Sequence, residues 1–316
     1  MKVLITGGAG FIGSNFVDYM ISNHPDYKII VFDALTYAGD LENLPTPFFS
    51  DLSKYEFIKG NIASQESVNT LIPKDVDAII NFAAESHVDN SIANPGIFLS
   101  TNVLGTYNLL EFARKNSIKK FVQVSTDEVY GSIDDGLFTE NSQIQPNSPY
   151  SASKASGDHF VRAYHETFGL NTNITRCSNN YGPRQHAEKL IPKTIQRALN
   201  NEAIPVYGNG SNIRDWLFVE DHCSAIDTVL HSGIPGEVYN VGGSNEIENI
   251  AVVETILHIL NKSKNLIAYV EDRLGHDKRY AIDSTKIQKQ LGWKPSIQSF
   301  TEGLNKTISW YLENKK

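Results

Sequence analysis

The sequence predicts an α/β protein built on a doubly wound parallel sheet, with a smaller C-terminal α/β lobe. Three observations carry that expectation. Short apolar runs alternate with longer amphipathic ones through the first half of the chain, a glycine-rich turn follows the first apolar run, and after Asn179 the rhythm changes to shorter elements, prolines and glycine turns. Alternation of this kind makes right-handed βαβ units whose strands are buried on both faces.

The candidate strands are Val3-Leu4-Ile5, Lys28 to Phe32, Tyr55 to Ile58, Ala78 to Ala83, Phe121 to Ser125 and Asn173 to Arg176, each a short β-rich run. Helices are expected at Phe11 to Ser22, Gln65 to Leu71, Asn102 to Asn116 and Tyr150 to Phe168. In the Asn102 helix, Val103, Tyr107 and Leu110 recur at helical spacing and define an apolar face. Beyond Asn179, Asn209-Gly210 reads as a hairpin turn, and Val238 to Val241 as a strand returning to the main sheet. No internal repeat or low-complexity linker interrupts the chain.

A length of 316 residues exceeds the usual single-domain size, so one large core with an appended lobe is expected. The boundaries read as 1–178, with a returning segment near 212–245, and mainly 179–316 for the lobe. The net charge of -8 is spread without a basic run, which argues against nucleic acid as a partner. Cys177 and Cys223 are too few for a disulfide scaffold and lack metal-ligand spacing, so a cytoplasmic protein without a metal is expected. No run approaches the ~18 apolar residues of a membrane span, so no membrane partner is expected either.

Thr6-Gly7-Gly8-Ala9-Gly10-Phe11-Ile12-Gly13 follows the first strand and opens the first helix, with Gly7, Gly10 and Gly13 three apart. Glycines there permit a tight turn, close approach of a pyrophosphate to backbone N–H groups, and close helix-on-strand packing. This is the cofactor turn of a Rossmann-type sheet. Asp33 lies at the end of the second strand, where a carboxylate binds both ribose hydroxyls and repels an added 2′-phosphate, so NAD is expected rather than NADP.

The glycine spacing, together with Tyr150-Ser151-Ala152-Ser153-Lys154 and Thr126, resembles the extended short-chain dehydrogenase/reductase family. Tyr and Lys four apart share a helix face. The resemblance implies that Lys154 lowers the pKa of Tyr150 and holds the nicotinamide ribose. It further implies that Tyr150 exchanges a proton with a substrate hydroxyl and that Thr126 hydrogen-bonds the same oxygen.

Asp127 and Glu128, at the carboxyl end of an apolar strand, add an acid and a base to that set. Oxidising a hexose at carbon 4 makes the carbon 5 proton acidic and sets the carbon 6 hydroxyl up for elimination. Glu128 is suited to remove the proton and Asp127 to protonate the departing hydroxyl. The latter must be protonated beforehand, which burial and a neighbouring carboxylate favour.

Further motifs resemble the dTDP-glucose 4,6-dehydratase family over essentially the whole chain. They are Asp33 to Asp40, Ala83 to Asp89, Ser178-Asn179-Asn180-Tyr181-Gly182-Pro183, Glu188-Lys189-Leu190-Ile191-Pro192, Arg214-Asp215-Trp216 and Arg273 to Tyr280. The resemblance implies catalysis by Thr126, Asp127, Glu128, Tyr150 and Lys154. It implies NAD held by Gly7, Gly10, Phe11, Ile12, Gly13, Asp33, Asn61, Ile62, Tyr150 and Lys154. For a nucleotide sugar, Arg214 and Arg279 suit the two phosphates, with Asn180, Lys189 and Asn249 as further donors, and Tyr207 suits stacking on the base. Glu85 and His87 are placed to shape the sugar pocket. A homodimer through the Asn102 and Tyr150 helices is implied as well, and a 4-keto-6-deoxy product leading to rhamnose and other deoxysugars.

Two positions depart from that family's pattern: Asn61 stands where an Asp usually receives the adenine amino group, and Asn90 replaces a usual Arg. The Asn61 amide keeps an acceptor oxygen, so at most weaker NAD binding is expected. Three alternatives stay open: a nucleotide-sugar epimerase that rebuilds carbon 4 without losing water, the same elimination on UDP-glucose, and a non-catalytic NAD-sensing module. Asp127-Glu128 speaks against the first, and retention of all five catalytic positions against the last.

Overall fold

The computed structural model describes residues 1–272, 276–297 and 299–314. Arg273, Leu274 and Gly275 of the last motif lie outside the described residues.

The first part of the chain runs β1 (Lys2–Thr6), α1 (Phe11–Asn23), β2 (Lys28–Asp33), α2 (Thr46–Ser50), β3 (Tyr55–Lys59), α3 (Gln65–Leu71), β4 (Ala78–Asn81), α4 (Val88–Ala93) and α5 (Pro95–Phe98). A π-helical stretch, Leu99–Gly105, leads into α6 (Thr106–Lys115), then β5 (Lys120–Thr126), α7 (Pro149–Phe168) and β6 (Thr172–Cys177). The remainder comprises β7 (Asn179–Tyr181), α8 (Leu190–Asn200), β8 (Ile204–Tyr207), β9 (Ile213–Phe218), α9 (Val219–Ser232), β10 (Val238–Val241), β11 (Glu246–Glu248), α10 (Asn249–Ile259), β12 (Ile267–Val270), α11 (Thr285–Leu291) and α12 (Phe300–Glu313).

Seven strands form the main sheet in the order β10-β6-β5-β4-β1-β2-β3, all pairs parallel. Alternation along each strand builds the two layers. Val3 and Ile5 of β1 pack in one core with Phe16 and Val17 of α1 and Ile226 and Val229 of α9. Leu4 packs in the other, with Val68 of α3, Leu109 and Phe112 of α6 and Val161 of α7. Helices on both faces therefore follow from a period of two in strands that are apolar throughout. The order reverses between β1 and β4, and the crevice outside their carboxyl ends is where ligands bind in such sheets.

A separate core gathers Ile191 and Ile195 of α8, Trp216 and Phe218 of β9, Val252 and Ile256 of α10, and Leu304 and Ile308 of α12. Two small sheets accompany it, β11-β9-β7 and β12-β8. The return of Val238–Val241 to the main sheet is found, in register with β6. Ile287 and Trp293 also join a main-sheet core, so a second segment returns, later than expected.

Three expectations need correction. Asn209-Gly210 makes no hairpin. The Gly210 N–H does donate to the Tyr207 carbonyl in a tight turn, but β8 pairs with β12 and β9 with β7 and β11. Local turn chemistry predicts a bend, whereas pairing is set by which edges the lobe brings together. The fourth strand ends at Asn81, two residues early, because the chain there turns to face the glycine turn. The Asn102 helix begins as a π-helix at Leu99, and Val103 and Tyr107 are only half-buried. Its inward face is Asn102, Thr106, Leu109, Leu110 and Phe112 instead. The inward polar residues are satisfied: Asn102 exchanges hydrogen bonds with the Glu85 backbone and donates to Ser153, and Thr106 donates to the Asn102 carbonyl.

Candidate active site

The carboxyl ends of β1, β2, β4, β5 and β6 open into one cleft of about 410 Å³. Its first wall is the glycine turn. Gly7 takes φ +68, and a Cβ there would lie 2.6 Å from the Ala83 nitrogen. A Cβ on Gly13 would collide with the Gly7 carbonyl, whereas one on Gly10 would meet only that same oxygen at 3.4 Å. Gly7 and Gly13 thus close the turn, and Gly10 lines the space above it. Gly10 also caps α1 with no side-chain cap and no acidic residue in the first turn, which leaves the positive helix end facing the cleft.

Asp33 is buried at the end of β2, where its carboxylate accepts from the Ala9 and Leu35 N–H groups at 2.9 and 2.8 Å. It braces the turn and lines the cleft together. Phe11, Ile12, Asn61 and Ile62 line the same wall. The Asn61 oxygen accepts from the Ala63 N–H at 2.9 Å, so one of its lone pairs closes a local turn. A cradle that excludes a Cβ at Gly13, an open helix end and a carboxylate beyond them fit a dinucleotide.

Thr126, Asp127, Glu128, Tyr150 and Lys154 converge on the opposite wall. Thr126 ends β5 and caps a 3₁₀ turn, Asp127–Tyr130, its hydroxyl accepting from the Glu128 N–H at 3.2 Å. That cap aims two successive carboxyls into the crevice. Tyr150 and Lys154 come from the first turn and a half of α7, which Ser148 and Ser151 start with a reciprocal capping box. Lys154 Nζ donates to the Val124 carbonyl at 2.8 Å, which fixes the ammonium beside the catalytic strand.

Burial raises the Asp127 carboxyl well above its ordinary range, and Glu128 and Asp215 add to the effect while the Arg214 charge opposes it. One oxygen of Asp127, Oδ2, is buried with no hydrogen-bond partner among the described residues. Both features favour the protonated form of Asp127. Tyr150 departs from expectation. Burial pushes its phenol up rather than down, Glu128 adds to the rise, and a hydrogen bond from Thr126 opposes it. Burial also lowers Lys154, whose charge is spent on a carbonyl. Desolvation outweighs the hydrogen bond from Thr126.

Of the expected substrate residues, Glu85, Asn180 and Lys189 line the cleft, but His87, Tyr207, Arg214, Asn249 and Arg279 do not. His87 caps α4 through its Nδ1 and lies 3.6 Å from Glu188. Tyr207 donates to Asp89 at 3.4 Å. Arg214 is buried over the Tyr280 ring and donates to the Ile213 and Asp277 carbonyls at 2.7 and 2.8 Å. Arg279 pairs with Glu246 at 2.7 Å, and Asn249 opens α10. Arg214 still acts on the cleft through its charge, which lowers the Asp127 carboxyl.

Sequence reasoning passed over Ser86, Ser178, Gln185, His186 and Glu188, all of which line the cleft. Ser86, Ser178 and Glu188 stood inside quoted motifs, which was signal enough. Asp215, behind Asp127, also stood in a motif but carried no role. Among the described residues, one trio of potential metal ligands exists, His24, Asp227 and His231; none lines the cleft.

A parallel sheet with a glycine-turn dinucleotide cradle, faced by buried Thr, Tyr and Lys and by a raised carboxyl, defines an extended short-chain dehydrogenase/reductase whose site is equipped for elimination. The family model described as GDP-mannose 4,6 dehydratase matches residues 4–307, and the chain belongs to that family. It is 54% identical over 312 residues to the low-salt glycan biosynthesis protein Agl12 of Haloferax volcanii, covering 99% of each. It is 49% identical over 332 residues to the dTDP-glucose 4,6-dehydratase of Xanthomonas campestris pv. campestris, covering 99% of this chain and 93% of that one. Among solved structures, DesIV, a dTDP-glucose 4,6-dehydratase from Streptomyces venezuelae with NAD and TYD bound, superposes with a TM-score of 0.96 at 47% identity. That match covers 99% of this chain and 98% of the other.

Proposed function

We propose that this chain is an NAD-dependent hydro-lyase that converts dTDP-glucose to dTDP-4-keto-6-deoxyglucose. The observation that carries the reading is the pairing of a buried, upward-shifted Asp127 with Glu128 on the wall that also holds Thr126, Tyr150 and Lys154. An oxidoreductase or an epimerase has no use for that acid. Full-length similarity to named dehydratases supports the same substrate.

Gly7, Gly10, Phe11, Ile12, Gly13, Asp33, Asn61 and Ile62 would hold NAD, which would supply a hydride acceptor for carbon 4 and a hydride donor for carbon 6. Tyr150 would take the carbon 4 hydroxyl proton once the positive nicotinamide of bound NAD favours the ionised phenol that burial alone disfavours, with Thr126 hydrogen-bonding the same oxygen and Lys154 holding the ribose. Glu128 then removes the carbon 5 proton. Asp127 delivers its proton to the carbon 6 hydroxyl, which leaves as water as the double bond between carbons 5 and 6 forms. Glu128, after exchanging its proton with solvent, protonates carbon 5, so that hydrogen from water ends there. The cleft wall of Glu85, Asn180 and Lys189 takes the sugar and diphosphate. For the nucleotide end, Arg214, Arg279, Asn249 and Tyr207, in a lobe drawn mainly from 179–316, and His87 are assigned although they do not line the cleft.

The second association expected is a homodimer. Leu99, Leu104, Phe160 and Phe168 are exposed, and Tyr107 pairs edge-on with Phe160 across α6 and α7. This apolar face supports packing against a second copy. A cytoplasmic setting agrees with two buried free cysteines, and no helix among the described residues is long and apolar enough to cross a membrane.

Incubation with dTDP-glucose in deuterated water tests the reaction. Loss of one water, solvent deuterium at carbon 5 and transfer of hydrogen from carbon 4 to carbon 6 are expected. A sugar isomer of unchanged mass would replace the reading with an epimerase, and turnover of UDP-glucose alone would change the base.

A further inference from the structure

Away from the cleft, α1 and α9 lie over one core, with Phe16, Val17 and Met20 on the first helix and Ile226, Val229 and Leu230 on the second. His24 caps α1 and His231 stands in the last turn of α9. Both turn a ring nitrogen to one oxygen of Asp227: His24 Nε2 lies 2.9 Å, and His231 Nδ1 3.0 Å, from Asp227 Oδ1. Asp227 and His231 are four apart on α9 and so share a face, and His24 meets them from the other helix. One donor atom from each of the three lies within 4.8 Å of the others.

Asp227 has no lysine or arginine partner among the described residues, although its side chain is only 16% exposed. With both rings neutral the trio carries one negative charge and offers two nitrogens and an oxygen. That donor set suits Zn²⁺ and its transition-metal neighbours, whereas Mg²⁺ and Ca²⁺ prefer oxygen alone. The donors are also held in place. The His24 ring stacks on Tyr27 at 4.6 Å and on His231 at 4.9 Å between centroids, above two helices anchored in the core. Two acceptors face His231 Nδ1, Asp227 Oδ1 and the Asp227 carbonyl at 2.9 Å, so without a cation that nitrogen carries the proton. A cation at Nδ1 takes the place of the proton, which moves to Nε2. The Tyr27 hydroxyl, 2.8 Å from Nε2, is there to accept it, the outer contact that fixes the tautomer of a ligand histidine. Donors around a tetrahedral cation stand about 3.3–3.5 Å apart, so the present spacing need open by only about half an ångström. The half-buried rings leave a path for the cation and room for water as its fourth ligand.

We propose that His24, Asp227 and His231 form a binding site for one divalent transition cation of the Zn²⁺ class, which staples the end of α1 to α9. Histidines make the site, so the two cysteines gave no sign of it in the sequence. None of the three lines the cleft, and the cation stabilises the fold without entering the reaction. The inference is independent of the substrate assigned above.

Equilibrium dialysis of Zn²⁺ against the untagged, EDTA-stripped, NAD-loaded protein tests this. The wild type should take up one equivalent that excess Mg²⁺ does not displace, and its melting temperature should rise by a few degrees at saturation. His24→Gln, Asp227→Asn and His231→Gln should each weaken that binding by about 100-fold or more and abolish the thermal shift. Tyr27→Phe keeps the stacked ring and removes only the hydroxyl, and should cost about tenfold in affinity. Zn²⁺ bound as tightly by the His24 and His231 variants as by the wild type would belong to other groups, such as His87 and His186 on either side of Glu188, and would overturn the inference. A wild type that takes up no Zn²⁺ would overturn it as well. His231 lies at an exposed helix end, so its variant judges the site even if His24→Gln fails to fold. If the wild type failed to turn over dTDP-glucose, the proposed function would fall and the dialysis would still decide the cation site.

Discussion

At the scale of single residues, the site separates by environment what the sequence places side by side. Asp127 and Glu128 are neighbours, yet Asp127 is buried with one oxygen that has no hydrogen-bond partner among the described residues, and Glu128 is only half-buried on the cleft wall. Glu128→Gln should leave the first oxidation in place and slow loss of water by about 10²- to 10⁴-fold, so that reduced cofactor accumulates in a single turnover followed by absorbance. Tyr150→Phe should block that accumulation at its source. Burial has a consequence for stability as well. A carboxyl raised above its unfolded value of about 3.8 is bound to a proton that the unfolded chain has already lost. Its contribution to stability is full below that value and is lost as pH rises toward the folded pKa. Asp127→Asn removes this loss, so its melting temperature should exceed that of the wild type at pH 8 and the gap should narrow as pH falls through the carboxylate range. An equal gap at every pH would show that Asp127 is not held protonated.

At the scale of elements, the β1–α1 turn distinguishes glycines that close the fold from one that serves the ligand. Gly13→Ala drives a Cβ into the Gly7 carbonyl and to 2.8 Å from Gly8 Cα, so the helix must move off the strand. Urea titration should show a loss of about 1–3 kcal/mol or more, the usual cost of overpacking. Gly10→Ala has room within the protein and should melt near the wild type, but its methyl stands in the cleft, and calorimetric titration of NAD should show clearly weaker binding. The π-helical stretch before α6 is another element with a definite cause. Asn102 turns inward to hold the Glu85 backbone in both directions, and the outward side of the stretch shows Leu99 and Leu104.

At the scale of the whole molecule, that outward side and Phe160 of α7 form the face assigned to a second copy. Replacing both Leu104 and Phe160 by glutamate should leave the fold intact and shift sedimentation to a 35.2 kDa species. A wild type that already sediments at that mass at micromolar concentration would remove the dimer.

Most of the scaffold was legible because strands and their helices announce themselves locally. Apolar runs such as Val3-Leu4-Ile5 are too short and too β-branched to be anything but buried strands, and the glycine turn between β1 and α1 could not be read as ordinary loop. The five residues proposed for catalysis were legible for a related reason: Thr126, Asp127 and Glu128 are contiguous, Tyr150 and Lys154 share one helix face, and the family resemblance joined the two groups. Residues joined only by tertiary contact gave no such signal. The partners of β8 and β9 depend on which edges meet, which no dipeptide at 209–210 encodes. The raised phenol of Tyr150 depends on desolvation, a property of everything packed around it. His24 looked like any helix-end histidine until α9 set a carboxylate 203 residues away against its ring. The sequence alone determined the chemistry available, because residue type and local spacing are written in it. Only the tertiary structure decided which proton each group holds and which way each donor points, because dielectric and orientation come from neighbours distant in the chain.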